Sequence, residues 1–571
     1  MKTLILSIIL ISASSAVHAQ NLTAAQKEAD FRYLASMYST YYAPIDWKKQ
    51  LFHFDLMDIK PWLDRVAQTN TDLDFYEICV AYVNSLHDTH DAFSLPSDFV
   101  ARLGFTADVY DGVLLLDSFN RTQLPVKDYP FTTGDELVSV DGRDVQQLLQ
   151  DFSVYVAAGN PSAAKRMAAA RITIRPQSAM PHATDTIGKS ATVVIRRQSG
   201  AVETYTIPWS VSGTPLTVGP VPSPKIASAP RTAARAQVAG TAPSYMTDLL
   251  EAQWSGVLKP EETGLNGYGS ISPLFVNALA GQRFTRRLGT GASDYFYSGS
   301  FTYEELTIGY IRIPNYAPAS TTAALAQFEK EIAFFNANTD GLIVDEMRNT
   351  GGSLCYGEEI AARLTPTYFR TTGFRLRPFW SRIITFYNSW ISAKTAGASQ
   401  TVIDQYELLF KAMLAANTQG QTITDSLPIC SSSMTHAPFM DVDGNVLAYK
   451  KPLMMLIDEF STSTADSVPG MMRDSGRAVL YGVRTNGAGG NNTTIDAGSY
   501  SEGYTGMTLA LQTRQEKHLN GDYPYTDLIE NTGVWPDLPD DYMTKDNLLQ
   551  SGATFLRNAL QHMAAQIRAS K

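Results

Sequence analysis

Leu453-Met454-Met455-Leu456-Ile457-Asp458-Glu459-Phe460-Ser461-Thr462-Ser463-Thr464-Ala465-Asp466 is an apolar run that breaks into small hydroxyl residues. Leu453 to Ile457 predicts a short buried strand, because consecutive apolar side chains leave no polar face. Ser461 to Ser467 holds the residue types that cap and open a helix. Val468-Pro469-Gly470-Met471-Met472 then either continues or interrupts that helix. A serine at a strand-to-helix junction exposes its hydroxyl, and the first helical N–H groups lie near enough to bind a developing oxyanion. Alone, the same serine also reads as a plain N-cap.

The residues downstream favour chemistry. Asp474-Ser475-Gly476-Arg477-Ala478-Val479-Leu480-Tyr481-Gly482 is followed by Thr485-Asn486-Gly487-Ala488-Gly489. This order resembles the nucleophile region of the C-terminal processing (tail-specific) proteases, a family of serine peptidases. Their pattern is Ser-Ala-Ser-Ala-Ser-Glu, then Asp-x-Gly-Arg-Ala, then Gly-Glu-x-Thr-x-Gly-Lys-Gly. The resemblance implies that Ser463, rather than Ser461 or Ser467, is the nucleophile. It also exposes a departure, since the family's usual base is the lysine before the last glycine and Ala488 stands there.

Two distant segments offer a replacement. Leu86-His87-Asp88-Thr89-His90 and Ile529-Glu530-Asn531-Thr532-Gly533-Val534-Trp535-Pro536-Asp537 are similar to the histidine and glutamate segments of the tricorn core protease and the chlamydial protease-like activity factor, which belong to the same wider group. The resemblance implies His90 as base and Glu530 as the carboxylate that fixes its tautomer. Other readings attach to these residues. His87 and His90 are three apart and would share one face of a helix, with Asp88 and Asp91 as further metal ligands. The glutamate-containing zinc signature is absent, so neither a metal nor a cofactor is expected. Lys517 is the alternative base for a Ser-Lys arrangement.

A fourth segment completes the site. Leu306 to Pro314 alternates as a strand, Thr321 to Ala337 has helical apolar spacing, and Gly341-Leu342-Ile343-Val344-Asp345 is a buried strand before Arg348-Asn349-Thr350-Gly351-Gly352. This resembles the family's Leu-Ile-x-Asp-x-Arg-x-Asn-x-Gly-Gly, with Met347 at the arginine and Arg348 one place later. Paired glycines present an unobstructed N–H. The amide of Gly351 or Gly352, with that of Thr464, is the expected oxyanion hole.

Met1-Lys2, an apolar run from Leu4 to Ile11 and Ala16-Val17-His18-Ala19 predict a signal peptide over residues 1–19 and an exported, periplasmic or secreted protein with no membrane span. Three cysteines, Cys79, Cys355 and Cys430, allow at most one internal disulfide. Cys355, beside Gly352, is a second conceivable nucleophile. A net charge of −10 argues against nucleic acid as a partner. The length implies about three domains. An α/β multidomain chain is expected: helical over 20–98, PDZ-like and β-rich over 99–211, a Pro/Ala/Ser-rich linker over 212–250, and a protease core over 251–571, which the resemblance implies is crotonase-like (β-β-α). Gly134-Asp135-Glu136-Leu137-Val138-Ser139-Val140-Asp141-Gly142 carries the PDZ resemblance, and residues 160–186 read as an insertion within that domain. A second insertion at about 365–443 is aromatic-rich, with a helix from Val402 to Ala416, and serves either as a lid or as its own small core.

The combined reading is an exported serine endopeptidase acting on protein or peptide through an acyl-enzyme. The alternative is a catalytically inactive peptide-binding relative, and an exported esterase is a further rival.

Overall fold

A computed structural model describes residues 21–53, 55–216 and 265–571. The expected signal peptide lies outside them, as does all of the expected linker from residue 217 onward.

The apolar runs become the centre of a seven-stranded sheet with the order 284–288, 297–303, 306–312, 341–345, 453–457, 479–482, 538–539. The first three strands are antiparallel and the rest parallel, with Leu342 opposite Leu453 and Asp345 opposite Leu456. Parallel strands buried on both faces need apolar residues at every position. Leu453, Met455 and Ile457 face one helical layer, which includes Thr321–Asn338, Leu354–Leu364 and Thr464–Asp474. Met454 and Leu456 face the other, built on Ala553–Ser570. Helix Thr464–Asp474 runs through Pro469 without a break, because Val468, Met471 and Met472 anchor it in the core.

The N-terminal region is helical, with Ala24–Tyr41, Ile45–Phe52, Lys60–Val66 and Asp72–Asn84 packed around aromatic residues. The β-rich domain follows. Its strands Ser190–Arg196 and Val202–Pro208 form an antiparallel hairpin. The supposed insertion at 160–186 is instead an integral helix, Pro161–Thr173, whose Ala163, Ala168, Ala169 and Ile172 belong to the domain core. Its alanine-rich sequence hid this, since small side chains carry little amphipathic signal. The helix lies against the edge strand Phe105–Tyr110, and buried Arg166 reaches across to Asp108, Glu459 and Tyr542.

The aromatic-rich segment 365–443 holds two helices, Trp380–Thr395 and Gln400–Thr418, around a cluster with Phe374, Phe386 and Leu409. It is its own small core. Cys430 in this segment is disulfide-bonded to Cys355 on helix Leu354–Leu364, so Cys355 is not a free nucleophile. Among the described residues no helix is long and apolar enough to cross a membrane.

The long strand Tyr504–His518 joins the parts of the chain that matter. It pairs with Phe93–Ser94, just after the histidine segment, with Gly373–Leu376 of the insertion, with Gly490–Asp496, and with Thr526–Leu528, just before Glu530.

Candidate active site

Ser463 is the one partly exposed residue between buried Phe460 and Met472. Its backbone has φ 61° and ψ −111°, a conformation L-residues rarely adopt, and its side chain stands at the helix entrance. Asp466 fixes this turn. Its Oδ2 accepts hydrogen bonds from the N–H of Ser463 at 2.7 Å and of Ala488 at 3.1 Å. Its Oδ1 accepts from Gly487 N–H at 2.8 Å and from the Thr485 hydroxyl. Burial pushes the Asp466 carboxyl up to about 6, while the four donors pull it down.

The glycine turn abuts Ser463. Gly351 has φ +78°, and a Cβ there would meet Thr462 O at 2.4 Å and Ser463 Cβ at 2.9 Å. Its N–H donates to Asn349 Oδ1 at 2.8 Å and is therefore engaged. Asn349 also binds Ile313 O through Nδ2 and Thr462 N–H through its carbonyl. Gly352 has φ +142° and lies against the Tyr316 carbonyl. Thr464 Oγ1 donates to Gly352 O at 2.6 Å. Among the described residues the N–H groups of Gly352 and Thr464 have no acceptor. Arg348, displaced by one from the family's arginine, is buried behind the nucleophile strand with φ +55°, and its N–H donates to Asp458 Oδ1.

His87 and His90 do not share a helix face, since the preceding helix ends at Asn84. His87 is exposed with φ +48°, whereas His90 is buried. Burial depresses the His90 imidazole below the usual histidine value; Asp88 opposes that shift and Lys48 adds to it. Its Nδ1 is buried without a hydrogen bond, 3.9 Å from Asp88 Oδ1. Ligand atoms of Asp88, His90 and Glu530 all lie within 4.8 Å of one another. That spacing would suit a metal ion, but the buried ammonium of Lys48, 2.5 Å from Glu530 Oε1, already supplies the positive charge. Glu530 Oε2 accepts from Gly489 N–H at 3.0 Å. Burial and then Asp88 hold the Glu530 carboxyl above the ordinary glutamate value, although Lys48 and the Gly489 amide pull it down.

The segments thus form one hydrogen-bonded frame. Asp466 links Ser463 to Gly487 and Ala488, and the next residue, Gly489, holds Glu530. Asn486 links the histidine segment to the loop that carries Ser463: Thr89 Oγ1 donates to its Oδ1 at 2.7 Å, and its N–H donates to Ser461 O. Lys517 is exposed near the end of strand Tyr504–His518 and takes no part. Lys48 and Asp466 are the participants that motif reading passes over. Lys48 sits in a short helix beside a second lysine, with no local signal, whereas Asp466 was visible three residues after Ser463 but read as a helix cap.

Residues 307–539 match Peptidase family S41, and residues 100–216 match a PDZ domain. An uncharacterized protein of Chlamydia muridarum is 23% identical over 631 residues, covering 98% of this chain and 96% of that protein. A protein of Chlamydia trachomatis serovar D is 23% identical over 604 residues, covering 93% of this chain and 92% of that protein. The fold is similar to that of the crystal structure of mature CPAF, with a TM-score of 0.73 and 20% identity over 96% of this chain and 98% of the other. The chain is a serine peptidase whose residues 307–539 form a peptidase family S41 domain, with a PDZ domain preceding it.

Proposed function

We propose that the chain is an exported endopeptidase whose nucleophile is Ser463, whose general base is His90 and whose orienting carboxylate is Glu530. The observation that carries this reading is the pair of acceptor-free N–H groups, Gly352 and Thr464, flanking a strained and partly exposed serine. Backbone donors held at that position are what a developing oxyanion needs.

In the proposed reaction Ser463 Oγ attacks the scissile carbonyl carbon while its proton passes to His90. The carbonyl oxygen becomes an oxyanion held by the two amides. Collapse breaks the C–N bond, and the leaving amine takes the proton from His90. Water then attacks the acyl ester, gives a proton to His90, and the acid product leaves as Ser463 regains its hydrogen. Depression of the His90 pKa favours the neutral imidazole that this sequence requires.

The Cys355–Cys430 disulfide supports the exported reading, because such bonds persist in oxidising compartments. The substrate class is protein or peptide, consistent with the family and the PDZ domain. Hydrolysis of an unfolded protein such as casein, with product termini mapped by mass spectrometry, tests the reading. Internal cleavage lost in both Ser463→Ala and His90→Ala is expected; cleavage unchanged in either variant contradicts it.

A further inference from the structure

Lys48 is fully buried, which lysine almost never is without a partner. Helix Ile45–Phe52 delivers it to the glutamate segment. Its ammonium has three protons and three acceptors: Glu530 Oε1 at 2.5 Å, Asn531 Oδ1 at 2.7 Å and the His87 carbonyl at 3.0 Å. Trp47, next to it, donates through Nε1 to Glu530 O and Asn531 Oδ1, both at 3.1 Å. The ammonium therefore touches both the segment before His90 and the carboxylate beside His90. All three of its donor positions are thus spent on the glutamate and histidine segments.

The charge balance gives Lys48 a role. Facing Glu530 are Asp88, His90 and the more distant Asp91 from the turn after helix Asp72–Asn84, with His87 in the same turn and Tyr42 bonded to Asp88. Gly489 N–H covers the second oxygen of Glu530. Two carboxyl groups, Asp88 and Glu530, thus lie beside one imidazole, with Asp91 near Glu530, and among the described residues Lys48 is the cation bonded to Glu530. Without it, a buried glutamate next to Asp88 takes up a proton more readily than it stays charged.

We propose that Lys48 is a positioning residue of the catalytic site, whose ammonium keeps the Glu530 carboxylate charged and oriented beside His90. It supplies from the N-terminal helices a buried positive charge in a site whose family lysine is replaced by Ala488. The proposal rests on the Ser463–His90–Glu530 reading. It acts through Glu530, so a loss of charge at position 48 changes when the site is active and not only how active it is.

The test measures kcat/KM against pH on a peptide substrate for the full chain, comparing wild type with Lys48→Met and Lys48→Arg. Lys48→Met should lose roughly 10- to 100-fold at neutral pH, mostly in kcat, as happens when an orienting partner is removed. Its acid limb should move to higher pH, because Glu530 then ionises only at higher pH. Lys48→Arg should recover much of the rate and return the limb toward its wild-type position. A folded Lys48→Met with an unmoved pH profile overturns the proposal. Failure of the underlying triad reads differently, as full activity in His90→Ala. If Lys48→Met does not fold, infrared difference spectra of wild type against Glu530→Gln, with ¹³C-labelled glutamate, decide the matter. A carboxylate band from Glu530 at neutral pH is expected, and a protonated carboxyl band overturns the proposal.

Discussion

The carboxylate of Asp466 holds the backbone N–H of Ser463 at 2.7 Å, and the same oxygen holds the N–H of Ala488. One buried side chain therefore sets both the strained turn at Ser463 and the segment at Ala488, where the tail-specific pattern has a lysine. Its other oxygen takes Gly487 N–H and the Thr485 hydroxyl.

Asp466→Asn keeps the shape but turns one acceptor into a donor, so the two donors on that oxygen lose their partner. Each buried donor left unsatisfied costs about 1–3 kcal/mol. The variant should melt several degrees lower and lose kcat with KM little changed. Calorimetry and steady-state kinetics on one preparation check this, and an unchanged kcat would detach Asp466 from the nucleophile's geometry.

The acid side of the pH–rate profile should report His90 and Asp466 as well as Glu530, whose charge the proposed site also needs. In the proposed mechanism neutral His90 accepts the serine proton, and burial keeps its pKa below the ordinary value of about 6.5. Ionised Asp466 accepts four hydrogen bonds, and its carboxyl is raised to about 6. Both requirements fail as pH falls, His90 by gaining charge and Asp466 by losing it. The logarithm of kcat/KM should therefore drop with a slope steeper than 1 below about pH 6. In Asp466→Asn the slope should become shallower, because one of these protonations no longer contributes.

Gly352→Ala should abolish most activity. A Cβ at that position would sit 2.3 Å from the Tyr316 carbonyl carbon, and the φ of +142° is itself unfavourable for alanine. The turn must shift, and the Gly352 N–H shifts with it. Removal of one oxyanion donor typically costs about 10²–10³-fold in kcat. Transient kinetics should show that acylation of Ser463 slows, while substrate binding is preserved.

Reduction of Cys355–Cys430 should loosen the insertion without unfolding the sheet. The bond spans 75 residues and ties the segment around Leu427 and Ile429 to the helix that follows Gly352. Native disulfides typically contribute roughly 2–4 kcal/mol. A lower melting temperature in dithiothreitol, matched by Cys355→Ser/Cys430→Ser, is the expected result.

The core was legible because its strands are buried on both faces, so Leu453–Ile457 and Gly341–Asp345 stood out as unbroken apolar runs. The segments holding Ser463, His90 and Glu530 were legible by their resemblance to known motifs. Lys48 and the engaged amide of Gly351 were not. Lys48 becomes significant only when a fold brings residues 48 and 530 together, a separation of 482 positions. Likewise, which of two adjacent glycines has a free N–H depends on where Asn349 points its side chain. Helix Pro161–Thr173 was misread for a third reason, because tertiary packing rather than an apolar stripe supports it.

The central claim is that Ser463 is a nucleophile activated by His90. The most direct measurement is reaction of the full chain with a fluorophosphonate probe, with the adduct located by peptide mapping. The account predicts one adduct, on Ser463, absent in Ser463→Ala and slowed by several orders of magnitude in His90→Ala, as is typical when a triad member is lost. An adduct on another residue, or labelling of Ser463 at the wild-type rate in His90→Ala, would contradict it.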